Sequence, residues 1–115
     1  MVAETKKDAV SIIGGLDLSG YVDKAVRLGQ LSLLDKEAAM REYRQFLFLD
    51  WINKFFSNEG VMAPTELADA IWQQHILDTY LYESFSLKLT GSYIHRYCPF
   101  VKYEVEKDWS VRMIC

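Results

Sequence analysis

Apolar positions recur at helical spacing along most of this chain. Leu18, Val22, Ala25, Val26 and Leu28 fall near one face of a helix, and Gly29 supplies a stop. A second helix opens at Ser32. Ser32-Leu33-Leu34-Asp35 has the form of a capping box, a hydroxyl followed three residues later by a carboxylate. Strong helix formers follow from Lys36. Ala39 and Tyr43 share a face in its first half, with Arg41, Glu42, Arg44 and Gln45 around the rest. Then Phe46, Leu47, Phe48, Leu49, Trp51, Ile52, Phe55 and Phe56 cover most of the circumference. A helix apolar nearly all round is buried on several sides or sinks part of its surface into a partner. The turn residues Ser57-Asn58-Glu59-Gly60 end it.

Pro64-Thr65 starts a third helix, Pro being favoured in the first turn, and Thr90-Gly91 closes it after about Leu89. The tail alternates weakly, Val101, Tyr103 and Val105 against Lys102, Glu104 and Glu106, as a short strand or extended wrap would. Residues 1–16 read as a lead-in that ends on Gly14-Gly15. No Lys-Ser/Thr follows that pair, which removes a phosphate loop. The expected fold is all-α. It is a compact bundle of three to four helices over residues 17–100, with the lead-in 1–16 before it and an extended tail over 101–115.

Composition narrows the classes. A chain of 115 residues is one domain's length, and half of them are hydrophobic, which excludes disorder. Three Trp, seven Tyr and six Phe stand against two His and two Cys, too few for a paired zinc knuckle. The net charge is −3, and the basic residues are scattered without a run of three, so nucleic acid is not an expected partner. No apolar stretch is long enough to span a membrane, and no secretory leader is visible, so the expected location is cytoplasmic. Cys98 and Cys115 then read as free thiols.

Candidate chemistry lies on the third helix. With 64–89 as one helix, Ala68, Ile71, Trp72, His75, Asp78, Thr79 and Tyr82 fall on one side, with His75 at the centre. Three polar side chains in an aromatic stripe need hydrogen bonds. An Asp78 contact would fix the imidazole tautomer and favour its charged form. Three readings fit: a satisfied core network, a ligand or metal site, and an acid–base pair. His95 lies beyond the Thr90-Gly91 hinge. If that segment folds back, His75, Asp78 and His95 make a three-ligand metal site with an open position.

Three strings also carry a family resemblance. Glu42-Tyr43-Arg44-Gln45-Phe46-Leu47-Phe48-Leu49 is similar to an E-Y-R-R-F-L-x-L helix. Residues 64–82, from Pro64 through Asp69, Trp72, His75-Ile76-Leu77 and Thr79 to Tyr82, resemble P-x-x-x-x-D-x-x-W-H-x-H-I-L-x-T-x-x-Y. Gly91-Ser92-Tyr93-Ile94-His95-Arg96, with Pro99 beyond, resembles G-x-F-L-H-H-x-P. Together they resemble the glycine-rich domain-containing protein-like family over roughly residues 20–100. The resemblance implies a compact, mostly helical domain with a metal or polar site at its histidines. This chain departs from the pattern at Gln73 and at Arg96, where the pattern has histidines. Gln73 sits about 160° from His75 on a helix, so its loss leaves the His75 face untouched. A reduced histidine set favours binding over catalysis.

The expected function is a small non-enzymatic interaction or accessory module with a buried His75–Asp78–Thr79 cluster framed by Trp72 and Tyr82. Phe48, Trp51, Phe55 and Phe56 are the candidate interface, facing a protein partner or a second copy. The alternative is a metal-dependent, hydrolytic site on His75, Asp78 and His95. The interaction reading needs no cofactor. The alternative needs a divalent metal.

Overall fold

The computed structural model describes residues 2–57 and 63–96, with the backbone alone at 56 and 57. The expected tail over 101–115, Cys98, Cys115 and the side chain of Phe56 lie outside the described residues. The fold is all-α. Among the described residues five helices follow one another: α1 Lys6–Gly14, α2 Ser19–Arg27, α3 Lys36–Ile52, α4 Glu66–Leu77 and α5 Thr79–Thr90. Among the described residues, no helix is long and apolar enough to cross a membrane.

The lead-in is itself a helix. Thr5 caps α1 by accepting the Asp8 N–H at 3.1 Å. Ala9 and Ile13, one turn apart, are buried. α1 lies on α3 and α5. Just before it, Ala3 donates its N–H to the Lys88 carbonyl at 2.9 Å, and its carbonyl accepts the Trp51 indole N–H at 3.0 Å. The chain's first residues are thus fastened to both α5 and α3.

α2 follows its predicted span closely, and Gly29 turns the chain out of it at φ 76°. The expected capping box forms differently. The Ser32 hydroxyl accepts from Leu34 N–H at 3.3 Å and heads a single 3-10 turn, Leu33–Asp35, and α3 begins only at Lys36. In α3, Ala39, Tyr43, Phe46, Leu47 and Trp51 are buried. Their spacing is that of one broad helical face. Leu49, on the other side, is 49% exposed. The apolar circumference is therefore split between the core and an open face. A π-turn, Asn53–Ser57, follows α3.

α3 and α4 form the most extensive helix pair, and α2 covers α4. Thr65 is the cap of α4. Its hydroxyl accepts the Ala68 N–H at 3.1 Å and donates to Glu42 of α3 at 2.6 Å. Pro64 precedes the cap rather than occupying the first helical position.

The long third helix of the sequence reading is two helices. Asp78 leaves helical geometry at φ −86°, ψ 70°, and α5 starts afresh at Thr79. No Gly or Pro marks the break. Asp and Thr are poor interior residues that favour helix ends, and tertiary contacts realise that tendency here. The Asp78 carboxylate does not cap α5. It accepts the Tyr21 hydroxyl of α2 at 2.7 Å. Gly91, at φ 82°, terminates α5 as expected.

Candidate functional site

The break at Asp78 brings together residues that one straight helix would keep apart. Ten residues of α-helix span about 15 Å, yet the Trp72 indole N–H donates to the Tyr82 hydroxyl at 2.8 Å. That hydroxyl donates onward to the Ile94 carbonyl at 2.6 Å. Tyr82 is fully buried, and both its bonds are internal. This relay ties α4, α5 and the segment after Gly91 into one node.

His75 occupies the centre of that node at 1% exposure. Tyr82 meets its ring edge-on at 4.8 Å between centroids, with Tyr21 at 4.9 Å and Phe85 at 5.5 Å on further sides. The Tyr43 hydroxyl lies 2.7 Å from His75 Nδ1. Tyr43 is fully buried, so its hydroxyl proton needs an internal acceptor. His75 Nδ1 is the one it has. Tyr43 therefore donates, Nδ1 accepts, and the proton of the neutral imidazole sits on Nε2. Burial holds the Tyr43 phenol well above its ordinary value, which keeps that donor protonated.

The charge state of His75 departs from the sequence expectation. Burial pushes the imidazole down to about 4, and the nearby Asp78 carboxylate offsets only part of this. Desolvation outweighs the pull of the Asp78 charge, because Asp78 is only half-buried and its Oδ2 is engaged by Tyr21. Burial, followed by the bond to Asp78, raises Tyr21 to about 12. At neutral pH the node is an uncharged His–Tyr cluster with a carboxylate at its rim.

The sequence-predicted residues divide accordingly. Trp72, His75 and Tyr82 belong to the node, and Asp78 flanks it. Thr79 is exposed at the start of α5 and is not part of a buried cluster. His95 is exposed and stacks edge-on with Tyr93 at 4.9 Å. Tyr93 in turn meets Tyr82 at 5.3 Å, so two tyrosines stand in line between the histidines. Among the described residues, no three His, Cys, Asp or Glu side chains gather as metal ligands would. Tyr21 and Tyr43 were missed, because each sits on a distant helix and a wheel drawn on 64–89 cannot show them. Their signal was chemical: a buried tyrosine needs a hydrogen-bond partner, and so does a buried histidine.

Gln73 and Arg96, the two departures from the resembled pattern, meet at one carboxylate. Arg96 clamps Asp69 through Nε at 2.9 Å and Nη2 at 2.7 Å. Gln73 donates to the same Asp69 at 3.0 Å. The bidentate bond anchors the closing segment to α4.

Of the interface candidates, Trp51 is core, at 2% exposure, with its indole bonded to Ala3. Phe48 stacks on it from one side at 5.9 Å, and Phe55 leans on it at 5.8 Å while 44% exposed. Phe48 is half-buried in the floor of a groove between α1 and α3. That groove has a volume of about 520 Å³, and Val10, Ile13 and Leu49 line it with Phe48. A second cavity, of about 420 Å³, lies between α1, the α1–α2 turn and α5, with His75 in its wall. Comparison of the chain with protein-family models, curated proteins and solved structures finds no match.

Proposed function

We propose that this chain is a small non-enzymatic interaction module, a histidine-reduced relative of the glycine-rich domain-containing protein-like family. Its partner surface is the apolar groove between α1 and α3. The observation that carries this reading is the groove's open apolar wall. Val10 is 53% exposed and Leu49 49% exposed, facing each other over Ile13 and Phe48. Large aliphatic side chains grouped in this way mark interaction sites more often than scattered ones do. The partner is an apolar segment of another protein, or a second copy of the chain that presents the same face. Arg44 and Gln45 at the groove edge supply a polar rim.

Two measurements test it. Light scattering over a concentration series reads self-association, which Leu49→Glu should reverse. A photo-reactive group at Leu49, introduced in the source cell, should yield a discrete adduct that Val10→Glu removes. The same group at Tyr80, exposed on α5, should not yield it. A chain that is monomeric at every concentration and gives no Leu49-specific adduct overturns the reading.

A further inference from the structure

The groove between α1 and α3 is charged unequally at its two ends. Phe48 lines it and also lines an adjoining hollow of about 290 Å³ beside Trp51 and Ile52, so the two form one apolar channel along α1. The nine residues of α1 span roughly 14 Å, the length of about two and a half helical turns. Where α1 begins, Glu4 and Lys6 put one charge of each sign on the channel. Where α1 stops, Arg44 is the only charged residue in the lining among the described residues. Its guanidinium is fixed there by the bond that Nη2 donates to the Leu16 carbonyl at 2.7 Å, just past Gly14, which lines the groove. A guanidinium carries several N–H donors, and among the described residues Arg44 makes this one bond. It forms no ion pair with them either. Asp17 of the following turn gives its Oδ1 to Ser19 instead. Arg44 is half-buried, and a partly desolvated charge acts on an opposite charge more strongly than a fully hydrated one.

We infer that the groove takes an amphipathic helix of a partner protein, in which a carboxylate, Asp or Glu, follows the apolar face, and that Arg44 binds that carboxylate. The inference rests on the reading of this groove as the partner surface. The walls select a helix over an extended segment. Val10, Ile13, Phe48 and Leu49 offer no backbone edge to pair with, and an extended chain would lay unsatisfied N–H and C=O groups against them. A helix satisfies its own backbone and presents apolar anchors at i, i+4 and i+7, which match a channel of this length. Arg44 selects the acidic residue. Its planar fork matches a carboxylate with parallel N–H bonds, and a Lys or Arg in that place would be repelled. The cation at one end also sets the direction of the partner, with the carboxylate at Gly14.

Three labelled helical peptides of equal length test this with the full chain, by fluorescence anisotropy. Each carries leucines at i, i+4 and i+7, and they differ only one turn beyond the last leucine, where they have Glu, Gln or Lys. The Glu peptide should bind tightest and the Lys peptide weakest, with at least about tenfold between them at low salt and less at high salt. The net charge of −3 would by itself favour the Lys peptide, so a preference for Glu is local to the groove. Arg44→Gln should level the three affinities, and Arg44→Lys should keep their order. If Arg44→Gln does not fold, the order in the native chain decides. Leu49→Glu should weaken all three. Equal affinities in the native chain that Leu49→Glu still weakens overturn the role of Arg44 and leave the groove reading standing. Affinities that ignore Leu49→Glu overturn the groove as the site. If no peptide binds, the helical partner falls, and the Leu49 adduct still judges the groove reading.

Discussion

The node around His75 and the groove between α1 and α3 are both built from aromatic and aliphatic side chains, and they behave as opposites. In the node each phenol and indole group is bonded within the fold: Trp72 to Tyr82, Tyr82 to Ile94, Tyr43 to His75. In the groove the side chains are apolar and half-open, with Phe48 resting on buried Trp51. The contrast shows that aromatic content alone does not distinguish core from contact surface. What separates them is whether the polar tips have internal partners. A ring with a satisfied hydroxyl is held in place by its bonds. A ring without one is held only by packing and stays available to a partner.

Substitutions should separate the two regions by the size of their effect. The largest is Tyr82→Ala, which opens a core cavity and strips Trp72 and Ile94 of their shared partner. About 4 kcal/mol of stability should be lost in urea denaturation. A loss under about 1 kcal/mol would show that the node is not structural.

Acid gives the next effect. The folded His75 lies near 4, below the 6.5 of a free histidine. Between those values the unfolded chain binds a proton that the folded chain refuses. His75's contribution is therefore complete above about pH 6.5 and lost as pH falls toward 4. The loss amounts to up to about 3 kcal/mol. Urea midpoints across this window should fall more steeply for the native chain than for His75→Gln. Equal slopes would place the charge elsewhere.

Arg96→Ala should cost about 1 kcal/mol, because the clamp on Asp69 is bidentate but only partly buried. Thermal melts in low and high salt would show the difference narrowing with salt. Leu49→Ala should be smallest, within about 0.5 kcal/mol, since the side chain is half-exposed in the isolated chain. A cost near that of Tyr82→Ala would make the groove part of the core and remove the contrast.

Much of the helical framework was legible in the sequence. α2 ends where Gly29 turns the chain, and α5 ends at Gly91, because glycine at positive φ is a local signal. The break at Asp78 was not legible. Leu77-Asp78-Thr79 contains no glycine or proline, and the carboxylate is drawn to Tyr21, 57 residues away. The helix wheel placed His75 among Trp72 and Tyr82 correctly, although Tyr82 arrives from a separate helix. It placed Thr79 inside, and the new helix turns Thr79 out. The charge of His75 was misjudged for the same reason. Local spacing shows the neighbouring Asp78, but burial is set by three other helices and outweighs it.

The Asp69–Arg96 clamp has a consequence for how conditional this fold is. A latch made of histidines would loosen in mild acid and would tighten or fail with the supply of metal ions. A guanidinium keeps its charge at any pH a cell reaches. The last described segment of the chain is thus held by a charge that neither mild acid nor metal supply removes. Whatever responsiveness the molecule has is left to the interior, where burial keeps one imidazole uncharged until the solution turns acid.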